Sequence, residues 1–161
     1  VALIESARAS ITIVTPYFVP DKALFRLLVA AAAKGRRVRV LVPRRSDHRL
    51  LDFARRWYLR QLKEAGAEIL FFKPDVLHAK LFIADDESLI IGSANLDMRS
   101  LFLNYEIAAV VRDPAALTAV QSFVASLEAE STPYSEDLYR RSRTWRGRML
   151  EAISKTLAPL L

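Results

Sequence analysis

The sequence predicts an α/β fold: a mixed, largely parallel central sheet covered by helices on both faces. Three observations predict it. Short β-branched runs alternate with helical periodicities from residue 10 to residue 72, glycine and proline mark the changeovers, and closely spaced apolar runs follow Pro74. Ser10 to Thr15 is a buried-strand pattern ended by Pro16 and Pro20. Asp21 can cap a helix whose apolar positions Leu24, Leu27, Leu28, Ala31 and Ala32 share one face, and Gly35 sits where a left-handed C-terminal residue is wanted. Val38 to Val42 is the next strand, stopped by Pro43; a helix from about Asp47 to Ala65 ends at Gly66; Ala67 to Phe72 is strand-like again. Such alternation implies right-handed crossovers. Leu77 to Ala84, Leu89 to Ser93 and Tyr105 to Val111 then read as antiparallel additions, and Pro114 opens an amphipathic helix through Glu130.

At 161 residues, 52% apolar and 26% charged, the chain fits one domain with a real core, which excludes a disordered tail. It has no cysteine and two histidines, so disulfides, thiolate metal sites and cysteine nucleophiles are excluded. The longest charge-free stretches, Ala9 to Pro20 and Pro114 to Leu127, are shorter than the ~18 to 20 residues of a bilayer-spanning helix. An amphipathic pattern already running at Leu3 and Ile4 behind Val1 leads us to expect an upstream portion. Residues 1–161 are expected to form a single domain with a basic C-terminal extension over 134–161.

The net charge of +6 is unevenly spread. Lys34 to Arg60 holds ten basic and two acidic residues, and Arg140 to Arg148 holds five arginines around Trp145. Two basic clusters on an otherwise acidic chain point to a polyanionic partner: a phospholipid surface, a nucleic acid or a phosphate ester. For the first cluster an ordinary solvated helix face has equal weight, because Arg55, Arg56, Arg60 and Lys63 lie opposite Phe53, Ala54, Trp57 and Leu62. The second is read as an anionic-surface contact.

Chemistry concentrates in His78-Ala79-Lys80, Asp85 and Gly92-Ser93-Ala94-Asn95. Strand alternation puts His78 and Lys80 on one face, and Ser93 and Asn95 on one face. A hairpin centred between Asp86 and Glu87 pairs Lys80 with Ser93 and His78 with Asn95; a three-residue loop would break that register. Asp85, at an odd offset from His78, faces away and reads as structural. The patch suits phosphoryl transfer: a neutral imidazole attacks phosphorus while Lys80, Ser93 and Asn95 bind the non-bridging oxygens. One histidine cannot be nucleophile and general acid in the same step, so a second patch is required.

These spacings resemble the HKD motif of the phospholipase D superfamily. The run Asn95-Leu96-Asp97-Met98-Arg99-Ser100, then Asn104-Tyr105-Glu106, with Thr15-Pro16-Tyr17-Phe18-Val19-Pro20 near the start, is similar more narrowly to the C-terminal half of bacterial cardiolipin synthases. The resemblance implies His78, Lys80, Asp85 and Glu106 as the catalytic group, with Glu106 orienting the His78 ring and Lys80, Ser93 and Asn95 as phosphate ligands. It implies no metal or organic cofactor. It further implies a phosphatidyltransferase condensing two phosphatidylglycerols to cardiolipin and glycerol through a phosphohistidine, at the cytoplasmic side of a bacterial cell membrane. The partners would be phosphatidylglycerol, the membrane surface, and an N-terminal HKD half or a second copy.

Alternatives remain at this level. A homodimeric single-motif nuclease or phosphodiesterase of the same superfamily would act on nucleic acid, and a catalytically silent module would bind anionic membranes. Among single residues, His48 reads as a surface residue at a helix start, Gly92 as a possible bulge, and Tyr17 and Phe18 as either ligand-edge or loop-packing residues. Arg99 reads as a loop arginine, for a lipid phosphate or a surface ion pair.

Overall fold

The computed structural model describes residues 2–74 and 76–135. A short helix α1 (Ala2–Ser6) precedes β1 (Ser10–Val14), α2 (Lys22–Ala33), β2 (Arg37–Pro43), α3 (Arg49–Glu64) and β3 (Glu68–Phe72). There follow β4 (Leu81–Ala84), β5 (Ser88–Gly92), α4 (Met98–Phe102), β6 (Ala108–Val111), α5 (Pro114–Ala129) and β7 (Ser131–Pro133).

Local chemistry sets the helix ends. The Asp21 carboxylate accepts the N–H groups of Ala23 and Leu24 at 2.8 and 3.3 Å, filling orphan donors of the first turn of α2. At the other end Gly35 adopts a φ of 81°, the Gly35 N–H donates to Ala32 and the Arg36 N–H to Ala31. Gly66, at φ 102°, closes α3 in the same way. Pro114 fills the first position of α5, whose cap Asp113 accepts from the Ala116 N–H at 2.8 Å.

The sheet has seven strands in the order β6-β5-β4-β1-β2-β3-β7. It is mixed: β1–β2 and β2–β3 pair in parallel, and β1–β4, β4–β5, β5–β6 and β3–β7 are antiparallel. Parallel pairing is therefore confined to the three strands joined by the helical crossovers, as crossover geometry requires. Helices cover both faces. Ile4, Leu28 and Leu62 of α1, α2 and α3 pack on Ile11, Val40 and Ile69, while Leu117, Val124 and Leu127 of α5 pack on Val14, Leu41 and Leu70. Each such side chain contributes about 1.5–3 kcal/mol by leaving water. On the α5 face Arg39 bridges the layers, pairing with Glu68 of β3 at 2.7 Å and with Glu128 of α5.

The structure corrects the sequence reading in several places. Residues 77–80 precede β4 rather than extending it, because pairing with β1 begins at Leu81 opposite Val14. The segment after Leu96 is a helix, so Arg99 lies in α4 rather than in a loop; the nearly buried Asp97 caps it, accepting the Ser100 N–H at 2.8 Å. β7 was not anticipated, since three residues are too few to display a strand period. The Arg140–Arg148 cluster, Trp145 and the final apolar stretch lie outside the described residues.

Candidate active site

One edge of the sheet gathers the ends of β1, β2, β3 and β5 and the starts of β4 and β6, as the pairing of Val14 with Leu81 and of Gly92 with Ala108 shows. In α/β sheets ligands bind beyond the carboxyl ends of parallel strands. His78, Lys80, Ser93, Asn95 and Glu106 all lie at this edge, in the loops just outside the strands.

The hairpin register differs from the symmetric one. Leu81 pairs with Ile91 and Ala84 with Ser88, leaving a three-residue turn in which Asp85 and Asp86 take left-handed φ values of 54° and 59°. Lys80 therefore opposes Gly92, whose N–H reaches the Lys80 carbonyl at 3.4 Å, and the expected Lys80–Ser93 and His78–Asn95 pairs do not form. The cause is Asp85. Its carboxylate accepts the backbone N–H groups of Arg8, Ala9 and Ser10 at 2.6, 2.7 and 2.8 Å, and its own N–H donates to the Ser10 carbonyl at 3.0 Å. Desolvation raises its pKa, but these three bonds together outweigh it and hold the carboxyl below the usual carboxylate range. Asp85 thus stands at the far end of β4 from Lys80 and ties the hairpin to the segment before β1, in line with its odd offset.

Three groups do converge. Ser93 donates its hydroxyl proton to Glu106 and accepts the Ile107 N–H at 3.0 Å, while its own N–H donates to the Ile107 carbonyl at 2.9 Å. Glu106 is held below the ordinary carboxylate range chiefly by Ser93; desolvation opposes this, and Ser100, Asn104 and the charge of Lys80 reinforce it. Burial pulls the half-buried Lys80 ammonium below the usual lysine range, with Glu106 pulling the other way. Its Nζ donates to the His78 carbonyl at 2.8 Å. Lys80 and Asn95 line one apolar cavity of about 210 Å³, and the Asn95 amide oxygen is buried there without a hydrogen-bond partner. Gly92 permits the arrangement: a Cβ at that position would stand 2.3 Å from the Ile107 carbonyl oxygen. Gly92 is a point of close backbone approach rather than a bulge.

His78 is exposed, and no hydrogen bond joins it to Glu106, whose carboxylate Ser93 occupies. The implied orienting contact is thus absent from this conformation. Asp47, in the loop after β2, lies within electrostatic reach of His78. Asp47 accepts the Tyr17 hydroxyl at 2.5 Å, a bond that is the main reason its carboxyl sits low. Tyr17 is pushed up to about 12, first by burial and then by Asp47. Phe18, fully buried, serves loop packing, and its segment pairs with Leu96. His48 is exposed, edge-on to Tyr17 at 5.8 Å between ring centroids. Sequence reasoning missed Asp47, Ser100 and Asn104 as members of this edge; the only prior signal was that Asp47 follows a strand stop and that Ser100 and Asn104 belong to the run resembling the family.

The arrangement offers a solvent-facing imidazole, a partly desolvated cation and a carboxylate–hydroxyl pair, groups able to hold and attack a phosphorus centre. Residues 1–129 match the family described as cardiolipin synthase, PLD-like domain. Cardiolipin synthase of Halalkalibacterium halodurans is 40% identical over 161 residues, 99% of this chain and 32% of the relative. Cardiolipin synthase 2 of Bacillus cereus is 40% identical over the same share of this chain and 31% of its own length. The chain thus spans about a third of the length of these relatives. Two solved structures share the fold: NucT from Helicobacter pylori (TM-score 0.69, 19% identity, 83% of this chain and 87% of that one) and phosphatidylserine synthase of Haemophilus influenzae (0.69, 16%, 98% and 41%). With the family model matched over residues 1–129 and the sequence 40% identical to such relatives over 99% of its length, this chain belongs to the phospholipase D-like family of bacterial cardiolipin synthases.

Proposed function

We propose that the chain supplies one of two reacting halves of a phosphatidyltransferase that joins two phosphatidylglycerols into cardiolipin and glycerol. A ring nitrogen of His78, or of its counterpart in a second half, attacks phosphorus; the P–N bond forms as the bond to the glycerol oxygen breaks. The opposite histidine gives that oxygen its proton. It then takes the proton from the hydroxyl of a second phosphatidylglycerol, whose oxygen displaces the histidine and completes the phosphodiester. Atoms balance without a redox partner or an added cofactor.

The observation that carries this reading is the exposed His78, whose carbonyl accepts the Lys80 ammonium at 2.8 Å, with the Ser93–Glu106 pair within electrostatic reach of that cation. The Lys80 ammonium and the Nδ2 amide of Asn95 donate to the non-bridging oxygens, where charge grows in the transition state. Ser93 joins them once its hydroxyl turns from Glu106 to a phosphate oxygen. Glu106 is then free to turn to the His78 ring, and a bond to one ring nitrogen fixes the tautomer presented by the other. The reaction would take place at the cytoplasmic side of the bacterial membrane, with the other half or a second copy completing the site.

The test is His78→Ala in the full-length protein. Cardiolipin formation from phosphatidylglycerol is expected to fall by at least about 10²-fold with the circular dichroism spectrum unchanged. Near-normal turnover would remove His78 from the reaction. A symmetric dimer that hydrolyses DNA and makes no cardiolipin would replace the lipid reading with the nuclease-like one.

A further inference from the structure

The first basic cluster of the sequence is only in part a solvated helix face. Arg44, Arg45, Arg49, Arg55 and Arg56 line one groove of about 720 Å³, with Lys73 joining them from the end of β3. Asp52 is the one acid among the described lining residues. The groove starts at the loop that ends β2 and runs towards β3 and β7, whereas the reacting cluster lies on the β4, β5 and β6 side of the sheet. Its walls are apolar below the charges, formed by Phe53, Leu59 and Phe71.

Arg55 carries an unpartnered cationic donor at this groove. Its side chain is 5% exposed, and it donates Nη2 to the Arg44 carbonyl at 3.1 Å and pairs with Asp52 at 2.9 Å, yet its Nη1 is buried without a hydrogen-bond partner. A buried guanidinium N–H without an acceptor is costly, and a fork of such donors matches phosphate oxygens in geometry. Burial pulls the Arg55 pKa down, with Asp52 only partly compensating, so a further negative charge is favoured.

We propose that this groove is a second phosphate site, which takes the headgroup phosphate of an anionic phospholipid while another phosphate reacts at His78. The inference rests on the phosphatidyltransferase reading above. A lipid fits better than a nucleic acid because the aromatic faces are already engaged. Arg56 lies over the Phe53 ring at 4.5 Å, and Phe71 stacks on Tyr134 at 6.2 Å between centroids, which limits the stacking platforms a base would use. The glyceryl ester end of a lipid needs only the apolar wall beneath the arginines.

The test measures binding of the full-length protein to neutral-detergent micelles doped with fluorescent phosphatidylglycerol, with phosphatidylcholine as control. The variant Arg45→Gln/Arg49→Gln/Arg56→Gln removes three charges while sparing buried Arg55. Its affinity for phosphatidylglycerol micelles should fall at least about tenfold, with melting temperature unchanged. His78→Ala should bind as the parent does, so failure of the groove and failure of the reacting site are read separately. Parent-like binding by the triple variant would overturn the proposal. So would loss of single-stranded DNA binding with micelle binding intact, which would assign the groove to a nucleic acid. Millimolar glycerol 3-phosphate should leave micelle binding in place; complete displacement through the same arginines would assign the groove to soluble phosphate esters and overturn the lipid assignment.

Discussion

At the closed end of the β4–β5 hairpin, Asp85 commits its carboxylate to three backbone N–H groups of Arg8, Ala9 and Ser10. At the open end, His78 is exposed with no hydrogen bond from its ring to any described residue, the Asn95 amide oxygen is buried without a partner, and Lys80 has a carbonyl as its hydrogen-bond acceptor. Saturated polar groups hold a fold, and groups left short of partners are poised for a ligand, because a buried polar atom without a bond is costly until one arrives. The hairpin thus has one end tied down by its own hydrogen bonds and one end whose polar groups keep capacity for a ligand.

Lys80→Met gives the sharpest contrast. Removing the cation should cut transfer by roughly 10²–10³-fold, the range seen for loss of one electrostatic stabiliser, while relieving a desolvated charge and leaving stability unchanged or raised. In the parent, activity should fall with rising pH below the ordinary lysine value of about 10.4, because burial depresses the Lys80 pKa. Substantial destabilisation by Lys80→Met would place it with Asp85 and break the comparison.

Asp85→Ala should do the reverse: a loss of about 2–3 kcal/mol in chemical denaturation, through the N–H groups left without a charged acceptor, with substrate affinity kept in the folded fraction. The pH dependence follows from the sign of the shift. A carboxyl held below its unfolded value of about 3.9 contributes stability that is fully present above that pH and is lost as the pH falls through the folded value. Parent stability should therefore decline below about pH 4 more steeply than that of Asp85→Asn. Equal slopes would remove Asp85 as an anchor.

Gly92→Ala tests the link between the two ends. The added Cβ meets the Ile107 carbonyl oxygen at 2.3 Å, and this is backbone that cannot swing aside. We expect about 1–3 kcal/mol of destabilisation, the range for overpacking, together with reduced transfer as Ser93 and Glu106 separate. An unchanged melting temperature would mean that β5 and β6 part freely.

The contrast also explains what could be read in the sequence. His78, Lys80, Ser93 and Asn95 stood out because polar groups interrupt apolar runs, and the alternation before Pro74 announced the parallel core. The register did not, because it depends on Asp85 reaching residues 8–10, a contact between segments some 75 positions apart. Nor was the arginine groove legible. Helical spacing put Arg55 on the solvent side of α3, whereas the side chain is 5% exposed, drawn in by Asp52 and by the Arg44 carbonyl that β2 delivers. Sequence periodicity carries local facing, and convergence between elements comes only from the packing.

The smallest expected effect tests whether every polar tie at the open end is expendable. Tyr17 donates to Asp47 at 2.5 Å across two loops, and Asp47 is exposed, so water can replace the phenol once it is gone. Tyr17→Phe should cost less than about 1 kcal/mol, against the larger loss at Asp85, because an exposed carboxylate is resolvated whereas the Asp85 cluster of N–H groups loses its charged acceptor. The Asp47 carboxyl should rise towards the ordinary range, since the Tyr17 bond is the main influence holding it low. An NMR titration of the carboxyl carbons reads this directly. A rise without measurable loss of stability would mark the Tyr17–Asp47 tie as belonging to the electrostatics around His78, whereas a loss matching Asp85→Ala would place it in the framework and shift the division between the two ends.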